Sequence, residues 1–196
     1  MRNHDVDIQG ARAHHAEKVT RVAQSLRTVG YPVSLKKRAV SHQVPKPRDA
    51  RRRDDKIDVS DLDEIIEIDR EAMTCTAEPG VTFVDLVEAT LPHGLAPIIV
   101  PELRTITIGG AVAGCSLESM SFVHGGFHDT CLEYEIITSD GRILRTTPDN
   151  EHRLVHQMMH GSFGTLGLLS LLMAIERELG CSSTHTSSAE DPSSMG

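Results

Sequence analysis

The chain is poor in aromatic residues, at 3% of its 196 positions, and has no Trp. A core must therefore be built from Val, Ile, Leu, Ala and Met, which the 39% hydrophobic content allows for one ordinary domain or two small lobes. The same scarcity removes the stacking platforms that hold single-stranded nucleic acid, and a formal net charge of −8 argues against a nucleic-acid partner. Cysteines are few and far apart. Cys75, Cys115, Cys131 and Cys181 make no C-x-x-C pair, so neither a zinc site nor a disulfide framework is indicated, and reduced thiols in a cytoplasmic protein are the simplest account. Long apolar runs are missing too. The stretch from Leu168 to Ile175 is broken by Ser170 and falls far short of the roughly 20 residues that cross a bilayer, so a soluble chain without a membrane span is expected.

What is present is a mixture of periods. Val19, Val22, Ala23, Leu26 and Val29 recur every three or four residues, which predicts an amphipathic helix over Arg12 to Val29, ended by Gly30. Short β-like runs follow at Tyr31 to Leu35, Lys56 to Val59, Ile65 to Ile68 and Met73 to Ala77. Thr82 to Thr90 has helical spacing and is stopped by Leu91-Pro92-His93-Gly94. Cys131 to Thr138 and Arg142 to Thr146 read as a hairpin closed by Asp140-Gly141. Pro148 to Met159 reads as a helix capped by Thr147, and Leu168 to Ile175 as a buried strand. This is an α+β pattern without strict βαβ alternation. It divides into a lead-in helix (1–30), a first lobe (31–100), a second lobe (101–178) and a Ser/Thr-rich tail (179–196) expected to be disordered. Between Lys36 and Asp55 lies a long Pro- and Arg-rich loop. Its basic cluster of Lys36, Lys37, Arg38, Lys46, Arg48, Arg51, Arg52 and Arg53 suits either phosphate or a membrane surface, or is simply solvated.

The stretch richest in possible chemistry is Thr107-Ile108-Gly109-Gly110-Ala111-Val112-Ala113-Gly114-Cys115-Ser116-Leu117-Glu118-Ser119. Consecutive small residues bare backbone N–H groups and admit a polyanion, although tight helix packing explains such a run equally well. It is not a Walker loop, because no Gly-Lys-Ser/Thr follows, and its G-G-x-x-x-G spacing is not the Rossmann fingerprint. Its company is an Asp-Val-Ser strand (Asp58 to Ser60), Ala-Glu-Pro-Gly-Val (Ala77 to Val81), Pro-Glu-Leu (Pro101 to Leu103), a His-Gly-Gly turn (His124 to Gly126) and Gly164-Thr165-Leu166-Gly167. That order resembles the FAD-binding domain of the vanillyl-alcohol oxidase and p-cresol methylhydroxylase superfamily from about Ser34 to Glu176. PELRTITIGGAVAGCSLES with DGRILRTTP is most similar to the 24-dehydrocholesterol reductases.

The resemblance implies a two-lobed α+β fold with FAD between the lobes, held covalently or not. It makes Thr107 to Ser119 the main FAD-binding segment and places Gly164 and Leu168 near the flavin ring. It further implies an oxidoreductase whose reduced flavin delivers hydride to a carbon–carbon double bond of a hydrophobic substrate, the cofactor carrying the redox chemistry. The first pyrophosphate loop of the superfamily is glycine-rich, whereas LKKRAVSHQVPKPR here has none, leaving Ser41 and His42 at the matching place and basic side chains to compensate. Where the reductases have Thr-Gly, this chain has Cys115-Ser116. Relatives continue into a substrate domain after the position of Glu178, so the sequence reads as a truncated form lacking it, with no general acid or base to name. The alternative is a non-catalytic remnant or interaction module without flavin turnover.

His152, His156 and His160 fall on one face of a helix, but no Cys or carboxylate joins them at ligand spacing, so no metal site is expected. His124 or His128 could attach a flavin covalently or be an ordinary turn residue.

Overall fold

In the computed structural model, residues 7–38, 48, 53–103 and 105–179 are described. Ser41, His42, three residues of the basic cluster (Lys46, Arg51 and Arg52) and the Ser/Thr tail from residue 180 onward lie outside them. Helix α1 (Ile8–Thr28) begins where the Asp7 carboxylate accepts the Gly10 N–H, and it buries His15, Lys18, Val19, Val22, Ala23 and Leu26 along one face. Strands β1 (Val33–Lys36) and β2 (Asp55–Asp58) then pair in parallel, with residues 37–54 between them. Strands β3 (Ile65–Asp69) and β4 (Thr74–Ala77) form an antiparallel hairpin. Helix α2 (Phe83–Thr90) opens on a capping box between Thr82 and Asp85 and runs into the turn Leu91–His93, closed by Gly94 at φ 74°.

After the short strand β5 (Leu95–Pro97) come helix α3 (Ile108–Ala113) and the single turn α4 (Ser121–His124). The expected hairpin forms as β6 (Cys131–Ile137) and β7 (Ile143–Thr146). Gly141, at φ +74°, tucks under the end of α1, where a Cβ would lie 2.6 Å from the Ala23 carbonyl and Arg27 donates to the Gly141 carbonyl at 2.7 Å. Helix α5 (Arg153–Met159) starts five residues later than its pattern suggests. Thr147 is not its cap, because its hydroxyl accepts the N–H groups of Asp149 and Asn150 and holds a turn there instead.

Strand β8 (Leu168–Glu178) closes the fold. It lies between β4 and β6 in a sheet ordered β3-β4-β8-β6-β7, and its end also pairs with β5. One face of this sheet carries the main core, where Phe83, Ile99, Ile108, Val112, Phe127 and Tyr134 meet Leu172 and Ala174. A second core lies under α1, with Val19, Val22 and Leu26 against Ile57, Leu62, Ile137 and Leu168.

Polar groups also tie α1 down. The fully buried Glu78 carboxylate receives Lys18 Nζ at 2.8 Å and the Glu64 N–H at 2.8 Å, and lies 2.8 Å from His15 Nδ1. His15 Nε2 is 3.1 Å from Glu135, which also accepts the Ser170 hydroxyl at 2.7 Å. Burial alone would lower the His15 pKa, but Glu135 and Glu78 raise it to about 9, so the ring is an imidazolium at neutral pH.

Candidate functional site

The small-residue stretch folds as α3 and a tight exit. Thr107 caps the helix by accepting the Gly110 N–H on its hydroxyl at 3.2 Å. The helix docks on the Ala-Glu-Pro-Gly-Val segment: Ile108 N–H donates to Val81 at 2.9 Å and Gly109 N–H to Pro79 at 3.0 Å. A Cβ on Gly109 would overlap Pro79, so glycine is what permits this approach. Ile108, Ala111 and Val112 are wholly buried in the main core. At the exit, Ser116 N–H reaches the Ala111 carbonyl at 2.9 Å and Cys115 N–H the Val112 carbonyl at 3.3 Å, with Cys115 at φ 50°. That is a Schellman ending with a cysteine where glycine is usual. Beyond it Leu117 and Ser119 are exposed, and the Glu118 carboxylate accepts the Ser119 hydroxyl at 2.7 Å and the Met120 N–H at 2.8 Å.

This corrects part of the sequence reading. The N–H groups of Gly109, Gly110, Ala111, Gly114, Cys115 and Ser116 all donate within the chain, so the small residues do not leave these amides bare. They leave surface bare instead. Gly110 and Gly114 are exposed and Ala113 is half-buried, and their spacing puts the three on one face of the helix, with no side chain larger than a methyl.

The turn Gly161 to Gly167 is brought against that helix. Gly161 N–H donates to the Val112 carbonyl at 3.3 Å and Phe163 N–H to the Ala113 carbonyl at 3.0 Å. Gly164, at φ +78°, has open space where a Cβ would be, and the neighbouring Phe163 and Leu166 side chains are exposed. Leu168 does not join this group through its side chain, which is buried in the core beneath α1.

The histidines fall differently from their spacing. His152 only precedes α5, and His156 is buried, stacked on Tyr134 at 4.3 Å between ring centroids, with its Nδ1 at 3.2 Å from the Thr146 carbonyl. His160 follows the helix and lies 4.7 Å from the His128 ring. Burial, then the His128 and His156 rings, lower the His160 pKa to about 4, so it is neutral at pH 7. Cys75 and Cys131 are buried as expected of structural thiols, and burial pushes Cys131 up to about 12.

Two titratable features escaped the pattern of the sequence. The His15–Glu78–Lys18 cluster had one signal, His15 and Lys18 at helical spacing on the apolar face of α1. Glu176, inside an apolar strand and 1% exposed, had none. Among the described residues its carboxylate has no partner, and burial raises its pKa to about 8.

Residues 11–147 match the family model described as an FAD binding domain. The Delta(24)-sterol reductase of Arabidopsis thaliana is 38% identical over 113 residues, covering 58% of this chain and 20% of that protein. The Delta(24)-sterol reductase of Homo sapiens is 33% identical over 108 residues, covering 55% and 21%. This chain thus spans about a fifth of the length of these curated relatives. The crystal structure of 6-hydroxy-D-nicotine oxidase from Arthrobacter nicotinovorans superposes with a TM-score of 0.67 at 18% identity, over 82% of this chain and 35% of that one, which places both in the p-cresol methylhydroxylase type of fold.

Proposed function

Because the chain belongs to the FAD binding domain family, we propose that its face around α3 and the Gly161 to Gly167 turn is the flavin site of an oxidoreductase that reduces a side-chain double bond of a sterol-like alkene. The observation that carries this reading is the joining of the two glycine-rich segments by the Gly161 and Phe163 amides. Together they make one surface in which Gly110, Ala113, Gly114 and Gly164 admit a flat dinucleotide that larger side chains would block.

In this reading Thr107, Ile108, Gly109, Gly110, Ala111, Val112, Ala113, Gly114, Cys115, Ser116, Leu117, Glu118 and Ser119 form the main wall, with different duties. Thr107 and Gly109 fix the helix against Pro79, and Ile108, Ala111 and Val112 anchor it in the core. Gly110, Ala113 and Gly114 offer the surface, while Cys115 and Ser116 turn the chain away so that Leu117, Glu118 and Ser119 form a rim. Gly164 faces the redox-active ring, and Leu168 contributes only through its main chain at the start of β8. When bound, FAD supplies the two-electron chemistry, and the protein's part is to orient it and exclude water. The alkene, a hydrophobic small molecule, is the substrate class that similarity to the sterol reductases favours.

Gly110→Asp separates this site from mere folding. Position 110 is exposed in the first turn of α3, where an acidic residue suits the helix, yet it sets a negative charge on the proposed cofactor face. Titration of FAD, followed by quenching of its fluorescence, is expected to saturate for the parent chain and to weaken roughly tenfold or more in the variant at unchanged melting temperature. No saturation up to about 100 micromolar, roughly −5.5 kcal/mol, refutes the flavin site. The alkene part is tested in a chimera carrying this chain's residues in place of the matched region of the Arabidopsis reductase. Retained sterol reduction supports it, and loss of reduction with flavin still bound refutes it.

A further inference from the structure

We propose that His128, Asp129 and His160 form a binding site for a divalent transition-metal cation such as Zn2+. Each residue offers one ligand atom, and the three atoms lie within 4.8 Å of one another. His128 and Asp129 stand in the short turn Phe127–Thr130 that feeds β6, and His160 follows α5, so two elements distant in sequence converge. Two imidazoles and a carboxylate are the donor set of three-ligand zinc centres. Ligand atoms around a tetrahedral zinc stand about 3.4 Å apart, so closure requires side-chain rotations of only about 1 Å. The Asp129 side chain is half exposed, which gives the ion a way in and leaves a solvent position as fourth ligand.

Three further observations mark the cluster as built. His128 is held at 13% side-chain exposure, and its Nδ1 is buried without a hydrogen-bond partner among the described residues, an arrangement that costs free energy unless another group completes it. Gly126 makes room for that ring, since a Cβ there would overlap it, and the Gly126 N–H holds Asp129 Oδ2 at 2.7 Å, 3.4 Å from His128 Nε2. The Tyr134 hydroxyl donates to the His128 carbonyl at 3.2 Å and lies 3.1 Å from His160 Nε2. With its hydrogen on that carbonyl, the hydroxyl accepts from His160 Nε2–H, and the other nitrogen of His160 keeps its lone pair for a metal, as outer-shell partners do in metal sites.

The test is calorimetric titration of ZnCl2 into the full 196-residue chain, with the visible spectrum of added Co2+ as a measurement that needs no variant. One equivalent of zinc is expected to bind, and Co2+ to show the intense bands of a four-coordinate ion. His128→Asn and His160→Gln should each weaken zinc by more than roughly tenfold, and Tyr134→Phe, which keeps the ring and removes only the positioning hydroxyl, by roughly tenfold. His14→Gln and His152→Gln should change nothing. No heat above dilution, the weak spectrum of six-coordinate Co2+, or zinc binding that survives the His128 and His160 variants but falls with His14 or His152 overturns the assignment.

Discussion

Glu176 shows what one buried carboxyl does to the pH response of the whole chain. Its folded pKa, raised to about 8 by burial, stands above the ordinary carboxylate value, so its neutral form is the one that the fold accepts. The associated stability is present below the unfolded pKa near 4.5 and is lost as pH rises through 8, a span worth several kcal/mol at about 1.4 kcal/mol per unit. Glu176→Gln removes the ionisation. Its melting temperature is therefore expected to be nearly flat between pH 4.5 and 6.5, where the parent declines, and equal slopes in the two proteins would show that Glu176 does not titrate in the fold. The strand pattern of Leu168 to Ile175 was legible, but a carboxyl after it reads as the start of solvent. Only pairing with Pro97 and Met73 puts Glu176 inside.

At the scale of elements, α1 is held by a small apolar core and by an ion cluster, and the second depends on both partners being present. Glu78→Ala leaves the Lys18 ammonium and the His15 imidazolium buried beside an empty space, a loss of about 3–5 kcal/mol in denaturant unfolding. His15 has a raised folded pKa, so its contribution is full below its unfolded value near 6.5 and is lost as pH rises through 9. The alkaline decline between these values is expected to shrink in Glu78→Ala, and an unchanged decline would move its origin elsewhere. Helix α5 shows how a start signal can mislead: Thr147-Pro148-Asp149 favours a helix, but Thr147 spends its hydroxyl on a turn. Helix α3 was legible only as one of two readings of the small-residue run, because glycine is the poorest common helix former after proline. Its six residues are helical because Thr107 caps them and the Pro79 loop and the core hold them.

For the molecule as a whole, β8 is the hub. It pairs with β4, β5 and β6, so separating any of these strands requires breaking its ladder. Amides from Ser170 to Ile175 are expected to be the slowest to exchange with deuterated water, and those of Leu117 to Gly125 among the fastest, because the latter are exposed or half-buried, outside the sheet and bonded only within local turns. Rapid exchange in β8 would show that the sheet opens without global unfolding. The sequence by itself determined the α+β class, the first two helices, every strand but β5 and the glycine segments that mark an FAD domain, because each is written in local periodicity, turn chemistry and a run of contiguous residues. Among the described residues no helix is long and apolar enough to cross a membrane, another property that composition alone decides. The tertiary structure decided which distant groups meet: Gly109 with Pro79, the Gly161 turn with α3, His15 with Glu78 and Glu135, and His160 with His128 and Asp129. The physical reason is that such contacts span tens of residues and form only when the β8 ladder fixes the register, which no local pattern records.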